Sequence, residues 1–257
     1  LYHCIWGSCF VFTQTYIQNR RDIIVSQVLL AASASAQSPD LICGNSSFDK
    51  ETIEEYVIAE INSKRYEILK GLQPNGPWQG RDKWNEETQG YGKKLPNAKT
   101  MNKLEYDCDL EKQAKAALDP KCTADIPTAP AGKSGIFYIK DIDWDEPEIT
   151  SAVSEWMEEI NEFAVSDSAI SDKEVTFKDN ALREYLSLMR PSITKIGCAE
   201  VLCKENGMNK YRAFCLTDQK PLDINDVVYE AGKGGCQEGE QCPQGKCDET
   251  GMCDLKP

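Results

Sequence analysis

Cysteine restricts this chain more than any other residue. Twelve occur among 257 residues: Cys4 and Cys9 stand apart near the start, and ten more run from Cys43 to Cys253. Ten is an even number, as full pairing requires. Whether they pair depends on the compartment. Residues 20–36, RRDIIVSQVLLAASASA, combine two arginines, a short apolar run and a small-residue A-x-A end, the build of a secretory signal peptide. Cleavage is expected after Ala36, and residues 1–36 read as a leader. Residues 1–19 carry no initiator Met and no periodic pattern, so they read as upstream or vector-derived sequence, or as part of a longer leader, and are set apart from the fold. Secretion implies oxidising conditions, where cysteines cross-link instead of holding metals. No later stretch approaches the 18 or so apolar residues of a membrane span, so the mature chain is expected to be soluble and extracellular. Asn45-Ser46-Ser47 is the one glycosylation sequon, in keeping with that route.

Charge narrows the partners. Removing Arg20, Arg21 and Asp22 with the leader leaves 27 basic against 41 acidic residues, a net of −14. Such a surface repels phosphate backbones, which argues against nucleic acid and anionic membrane. The single histidine is His3, inside the leader. The mature chain therefore lacks imidazole, and with it Ser-His-Asp and Cys-His nucleophile systems and the usual nitrogen donors for zinc. No cofactor is expected.

The apolar pattern predicts a mixed fold. Ile53, Val57, Ile61 and Ile68 recur at helical spacing over residues 48–69, with Ser47 or Asp49 as N-cap and Gly71 just past the end. Residues 72–97 hold seven Pro and Gly residues and little aliphatic content, and read as an exposed loop. A second helix spans about 107–118, where Asp107 and Glu111 read as a polar face. IFYIKDI at 136–142 reads as a strand. Pro147 opens a third helix, with Ile149, Val153, Trp156, Ile160 and Phe163 spaced 4, 3, 4 and 3. A shorter helix is expected near 180–189, closed by Pro191. TKIGCAEVLC and YRAFCLT then read as two strands joined at Asn206-Gly207. This order argues for α+β, helices packed on an antiparallel sheet. The last stretch, GGCQEGEQCPQGKCDETGMCDL, has almost no aliphatics, so only disulfides could order it. Its cysteines, Cys236, Cys242, Cys247 and Cys253, could form a metal knuckle, but spacings of six, five and six in a secreted chain favour two disulfides.

Several of these segments resemble one known family. LPNAKTMNKLEYDCDLEKQA, Asn62 with Arg65 and Gly71, Trp156 with Glu159, ITKIGCAEVLC and VYEAGKGGC occur in the order found in the CAP superfamily, the antigen 5 and cysteine-rich secretory proteins. They are most similar to its nematode branch, the activation-associated secreted or venom-allergen-like proteins. The resemblance spans residues 48–253. It implies a three-layer α-β-α sandwich over 43–232 and a small disulfide-rich extension over 233–257. Cys43, Cys108, Cys122, Cys198, Cys203 and Cys215 fall in the main domain, with their pairing left open.

Many members of that family carry a cleft tetrad of two His and two Glu that holds a divalent metal. Measured against that pattern, this chain departs at three of four positions. The first His has only Asp125 near its place, the Glu of a G-E-N motif falls at Gly135-Ile136-Phe137, and the second His is replaced by Glu184. Glu159 alone remains. Glu159 and Glu184 form a remnant of the family cleft that could act as a carboxylate pair, although the ordinary expectation is that both are solvated or paired with Lys or Arg. The resemblance further implies a secreted, non-catalytic effector that binds a host protein or cell-surface receptor, or alternatively a lipid or sterol carrier. Trp78, Trp84 and Tyr91 in the 72–97 loop are the candidate binding residues, unless the tryptophans fold back onto the domain. Gly80-Arg81-Asp82 reads as ordinary loop. Oligomeric state is left open.

Overall fold

The computed structural model describes residues 3–5, 8–10 and 40–255, apart from 124–125, 143–147, 206, 238–240 and 243–244. The expected signal peptide, Asp125, Pro147 and Asn206 lie outside the described residues. Two units are present, Leu1–Pro39 and Asp40–Pro257. In the first, strands β1 (His3–Ile5) and β2 (Ser8–Phe10) pair antiparallel. The remaining described residues form the second.

Its first long helix starts as the pattern predicts. Asp49 accepts from the backbone N–H and hydroxyl of Thr52, and Gly71 closes the far end at φ +62°, a conformation that favours glycine. Between them Thr52–Ile58 is π-helical and Ala59–Leu69 is the α-helix α1. Helix α2 is Cys108–Ala117, capped by Asp107, whose carboxylate accepts from the N–H groups of Asp109 and Leu110. Helix α3 is Ile149–Glu162 and α4 is Arg183–Leu188, entered through a 3-10 turn at Asn180–Leu182. Phe163, expected on the inner face of α3, instead stands exposed at its C-cap.

The central sheet has the order β3-β6-β7-β4, where β3 is Glu105–Tyr106, β4 Ser134–Ile142, β6 Lys195–Glu205 and β7 Met208–Thr217. Strands β6 and β7 form the expected hairpin, in register from Ile196↔Thr217 to Glu205↔Met208. The pairing of β3 with β6 is parallel. A second small sheet joins β5 (Glu174–Thr176) to β8 (Val227–Glu230). Helix α2 packs on one face of the sheet, with Leu110, Ala114, Ala199, Phe214 and Leu216 between the layers. The larger core lies on the other side, where α1, α3 and α4 bring Ile61, Ile68, Val153, Trp156, Ile160 and Tyr185 together with Ile136, Ile196 and Tyr211. This is the three-layer α-β-α sandwich.

Gly197 fixes the close approach of sheet and helix: a Cβ there would lie 2.2 Å from the Glu111 nitrogen and 2.5 Å from the Asp107 oxygen. The motif residues of the first helix have equally definite work. The Asn62 side chain donates to the Leu104 carbonyl at 3.0 Å and accepts from the Leu104 N–H at 2.8 Å. Arg65, fully buried, donates to the carbonyls of Asn102, Leu188, Arg190 and Ile193. One guanidinium thus ties α1 to the chain before β3 and to the turn before β6.

Five disulfides staple this unit: Cys43–Cys108, Cys122–Cys203, Cys198–Cys215, Cys236–Cys247 and Cys242–Cys253. None of the described cysteines is free. The last two cross-link a three-stranded sheet of β9 (Gln241–Cys242), β10 (Gly245–Cys247) and β11 (Cys253–Asp254). Those strands rest on the segment after α1: Lys103 N–H donates to the Cys253 carbonyl, Cys253 N–H to the Met101 carbonyl, and the Lys103 ammonium pairs with Asp248.

Candidate functional site: a carboxyl pair beside an apolar cleft

Glu159 lies on the last turns of α3 and Glu184 in the first turn of α4. The Tyr185 N–H at the start of α4 donates to Glu159 Oε2 at 2.9 Å, and the Glu184 carboxyl lies near enough to raise the Glu159 pKa. Neither carboxylate forms an ion pair with Lys or Arg among the described residues. The expectation of cation-paired carboxylates is therefore corrected: both are half-buried, and Glu159 is held by the Tyr185 N–H instead. The sequence could not show this, because the two residues meet only when α3 and α4 pack together.

Burial pushes the Glu159 carboxyl up to about 8, from an ordinary value of 4.5. The Tyr185 N–H opposes that rise, and the charges of Glu184 and Glu155 reinforce it. Burial, with the Glu184 charge beside it, favours the protonated form of Glu159 at neutral pH.

Next to the pair is a cleft of about 590 Å³, lined by Ile126, Ala129, Phe137, Ile139 and Phe214, with Glu184 and Arg183 at its edge. Its floor is possible because residue 135 is glycine: a Cβ there would lie 2.6 Å from the Phe214 ring. Ile136, at the place of the family's G-E-N glutamate, is turned into the core at 1% exposure. Arg183 is occupied elsewhere, donating to the Leu222 carbonyl at 3.1 Å and to Asn180 Oδ1 at 2.6 Å while stacking over Phe177.

A divalent metal does not fit this site. Zinc needs nitrogen, thiolate or ionised carboxylate donors converging on one point. Among the described residues the donors here are two carboxyls, Glu159 and Glu184, beside an apolar wall, in a unit without histidine. The three cysteine sulfurs that do converge, of Cys236, Cys242 and Cys253, belong to disulfides.

The loop candidates separate. The Trp78 indole N–H donates to the Gln89 carbonyl at 3.1 Å, and its edge lies where a Cβ on Gly90 would be. Trp78 thus folds back within its own loop, although 51% exposed. Trp84 stands out at 59% exposure, and Tyr91 is half-buried. The loop is internally tied: Gln79 N–H donates to the Gly90 carbonyl, and Asn85 Oδ1 accepts from the N–H groups of Glu87 and Thr88. The Asp107 and Glu111 pair is no polar face. Asp107 caps α2 and meets Lys195 at 2.8 Å, while Glu111 is 5% exposed and accepts from Ser46 and Tyr106. Asn45 is exposed.

The fold and the site define a class: an α-β-α sandwich held by cystines, with a cleft lined from β4, β7, residues 126–129 and the start of α4. The model of the cysteine-rich secretory protein family, CAP, matches residues 58–217, and the chain belongs to that family. Three solved nematode proteins share its fold. Na-ASP-1 is 22% identical with a TM-score of 0.62, over 84% of this chain and 48% of its own, so the chain spans about half of that protein. NaASP2, solved with Zn2+, is 19% identical with a TM-score of 0.60, over 82% of this chain and 99% of its own. BmVAL-1 is 17% identical with a TM-score of 0.60, over 84% and 99%. No curated protein matches this chain.

Proposed function

We propose that this chain is a secreted, non-catalytic CAP protein that binds a host protein or cell-surface receptor through the loop of residues 72–97. The observation that carries this reading is Trp84, 59% exposed on a loop tied by its own hydrogen bonds. A large aromatic side chain on a pre-ordered loop contributes contact area at low entropic cost. The five disulfides fit an oxidising, extracellular setting, and no described helix is long and apolar enough to cross a membrane. Exposed Asn45 would be available for glycosylation on the same route. The absence of imidazole from the domain, with no zinc donor set among the described residues, argues against histidine- or zinc-based hydrolase chemistry. One solved neighbour, 17% identical with a TM-score of 0.52, is titled Hookworm Platelet Inhibitor, a precedent in name for an inhibitor on this fold.

A second reading, a lipid or sterol carrier, is favoured by the apolar cleft of about 590 Å³. A binding screen of the oxidised protein against host receptors, with matched cholesterol and palmitate uptake on the same sample, separates the two. A saturable receptor interaction without lipid uptake supports the first. Lipid uptake with no receptor bound replaces it with the second.

A further inference from the structure

The cleft beside Glu184 has two unlike walls, and together they select a ligand class. Phe137, Phe214, Ile126 and Ile139 form the apolar part, and the last two are 71% and 50% exposed at its rim. Isoleucines left open to water at a concave surface lose hydration cost when an apolar body covers them. Glu184 also lines the cleft, and no lysine or arginine ion-pairs with it among the described residues. We propose that this cleft binds an amphiphilic organic cation, its ammonium group on the Glu184 carboxylate and its alkyl or aryl body among Phe137, Phe214, Ile126 and Ile139.

The alternatives fit less well. A fatty-acid carboxylate would be repelled by Glu184, whereas the Arg183 guanidinium is held towards Leu222, Asn180 and the Phe177 ring by two hydrogen bonds and a ring contact. A neutral lipid would cover the apolar wall but leave the carboxylate charge desolvated and unpaired, which is costly. A bare hard cation prefers six or more oxygen ligands, and the apolar wall supplies none. An ammonium can pair with Glu184 through its N–H donors while its chain covers the rim. This inference stands apart from the loop reading and survives or fails independently of it.

The test is calorimetric titration of the oxidised full chain with n-octylammonium, 1-octanol and octanoate, which share a body and differ in head group. The proposal expects one octylammonium per chain, bound about tenfold or more tightly than either relative. Glu184→Gln removes that preference and leaves octanol binding unchanged, while Phe137→Ala weakens all three probes. Because Glu184 helps set the α3–α4 junction, Ile139→Lys at the exposed rim serves as a second variant. A like charge there is expected to weaken octylammonium binding and to spare octanoate. Octanol or octanoate binding as tightly as octylammonium would overturn the proposal, and so would octylammonium binding that neither variant changes.

Discussion

Arg65 has four backbone carbonyls as its partners, and burial lowers its guanidinium to about 9 despite the opposing field of Asp218. Only a planar fork with five donors satisfies that geometry. Arg65→Lys should therefore cost more than about 3 kcal/mol, since it strands buried carbonyls, and urea denaturation measures it. Glu159 makes a different prediction. Its folded value of about 8 lies above the ordinary 4.5, so the native state holds more protons than the unfolded chain between those limits. Its contribution to stability is present in full below pH 4.5 and is lost as pH rises through 8. Glu159→Gln, neutral throughout, should melt higher than the parent at pH 9 and show a smaller gap at pH 5. An equal gap at both would mean that the carboxyl does not titrate in that range. The sequence alone revealed Glu159 and Glu184 only by their place in a resemblance. It hid Glu111 altogether, because an i, i+4 acidic pair on a helix looks solvated, and its partner Ser46 lies 65 residues away.

At the scale of elements, legibility followed periodicity. Helices α1 to α4 and strands β4, β6 and β7 were all visible as apolar patterns, and Asp49 and Gly71 bound the first helix where the residue types suggested, whereas the cap at Asp107 was hidden in what read as a polar face. The missed strands, β3, β5 and β8, are two to four residues long, too short for a period to declare itself. Their pairing is set by tertiary contacts such as Asn62 on Leu104. The π-helical turns at 52–58 left no signal either, since the buried Ile53, Val57 and Ile61 recur every four residues in both geometries. The Gly197 contact gives a sharp prediction: Gly197→Ala must push α2 off the sheet, and should cost more than about 3 kcal/mol or abolish secretion of folded protein. In the tail, each disulfide closes a separation of 11 residues, worth about 3 kcal/mol in the unfolded-chain account. Replacing Cys236 and Cys247 by Ser together should release β9–β11 to hydrogen exchange while Trp156 stays buried, as its fluorescence would report. Loss of the whole fold would show that the tail is integral to the core.

For the whole molecule, a cystine-stapled sandwich of high acidity leaves two surfaces with chemistry. One is the carboxyl-edged cleft and the other the Trp84 loop. The family fold says nothing about which is used, since function resides in sites and not in the scaffold. The account assigns partner recognition to the loop. The direct test compares Trp84→Ala with Glu184→Gln, both checked for parental melting, for binding to whichever host receptor the oxidised protein captures in the screen. Trp84→Ala should weaken that binding at least about tenfold, in the range of an aromatic anchor, and Glu184→Gln should leave it unchanged. Binding that survives Trp84→Ala but falls with Glu184→Gln would contradict the account and move recognition to the cleft.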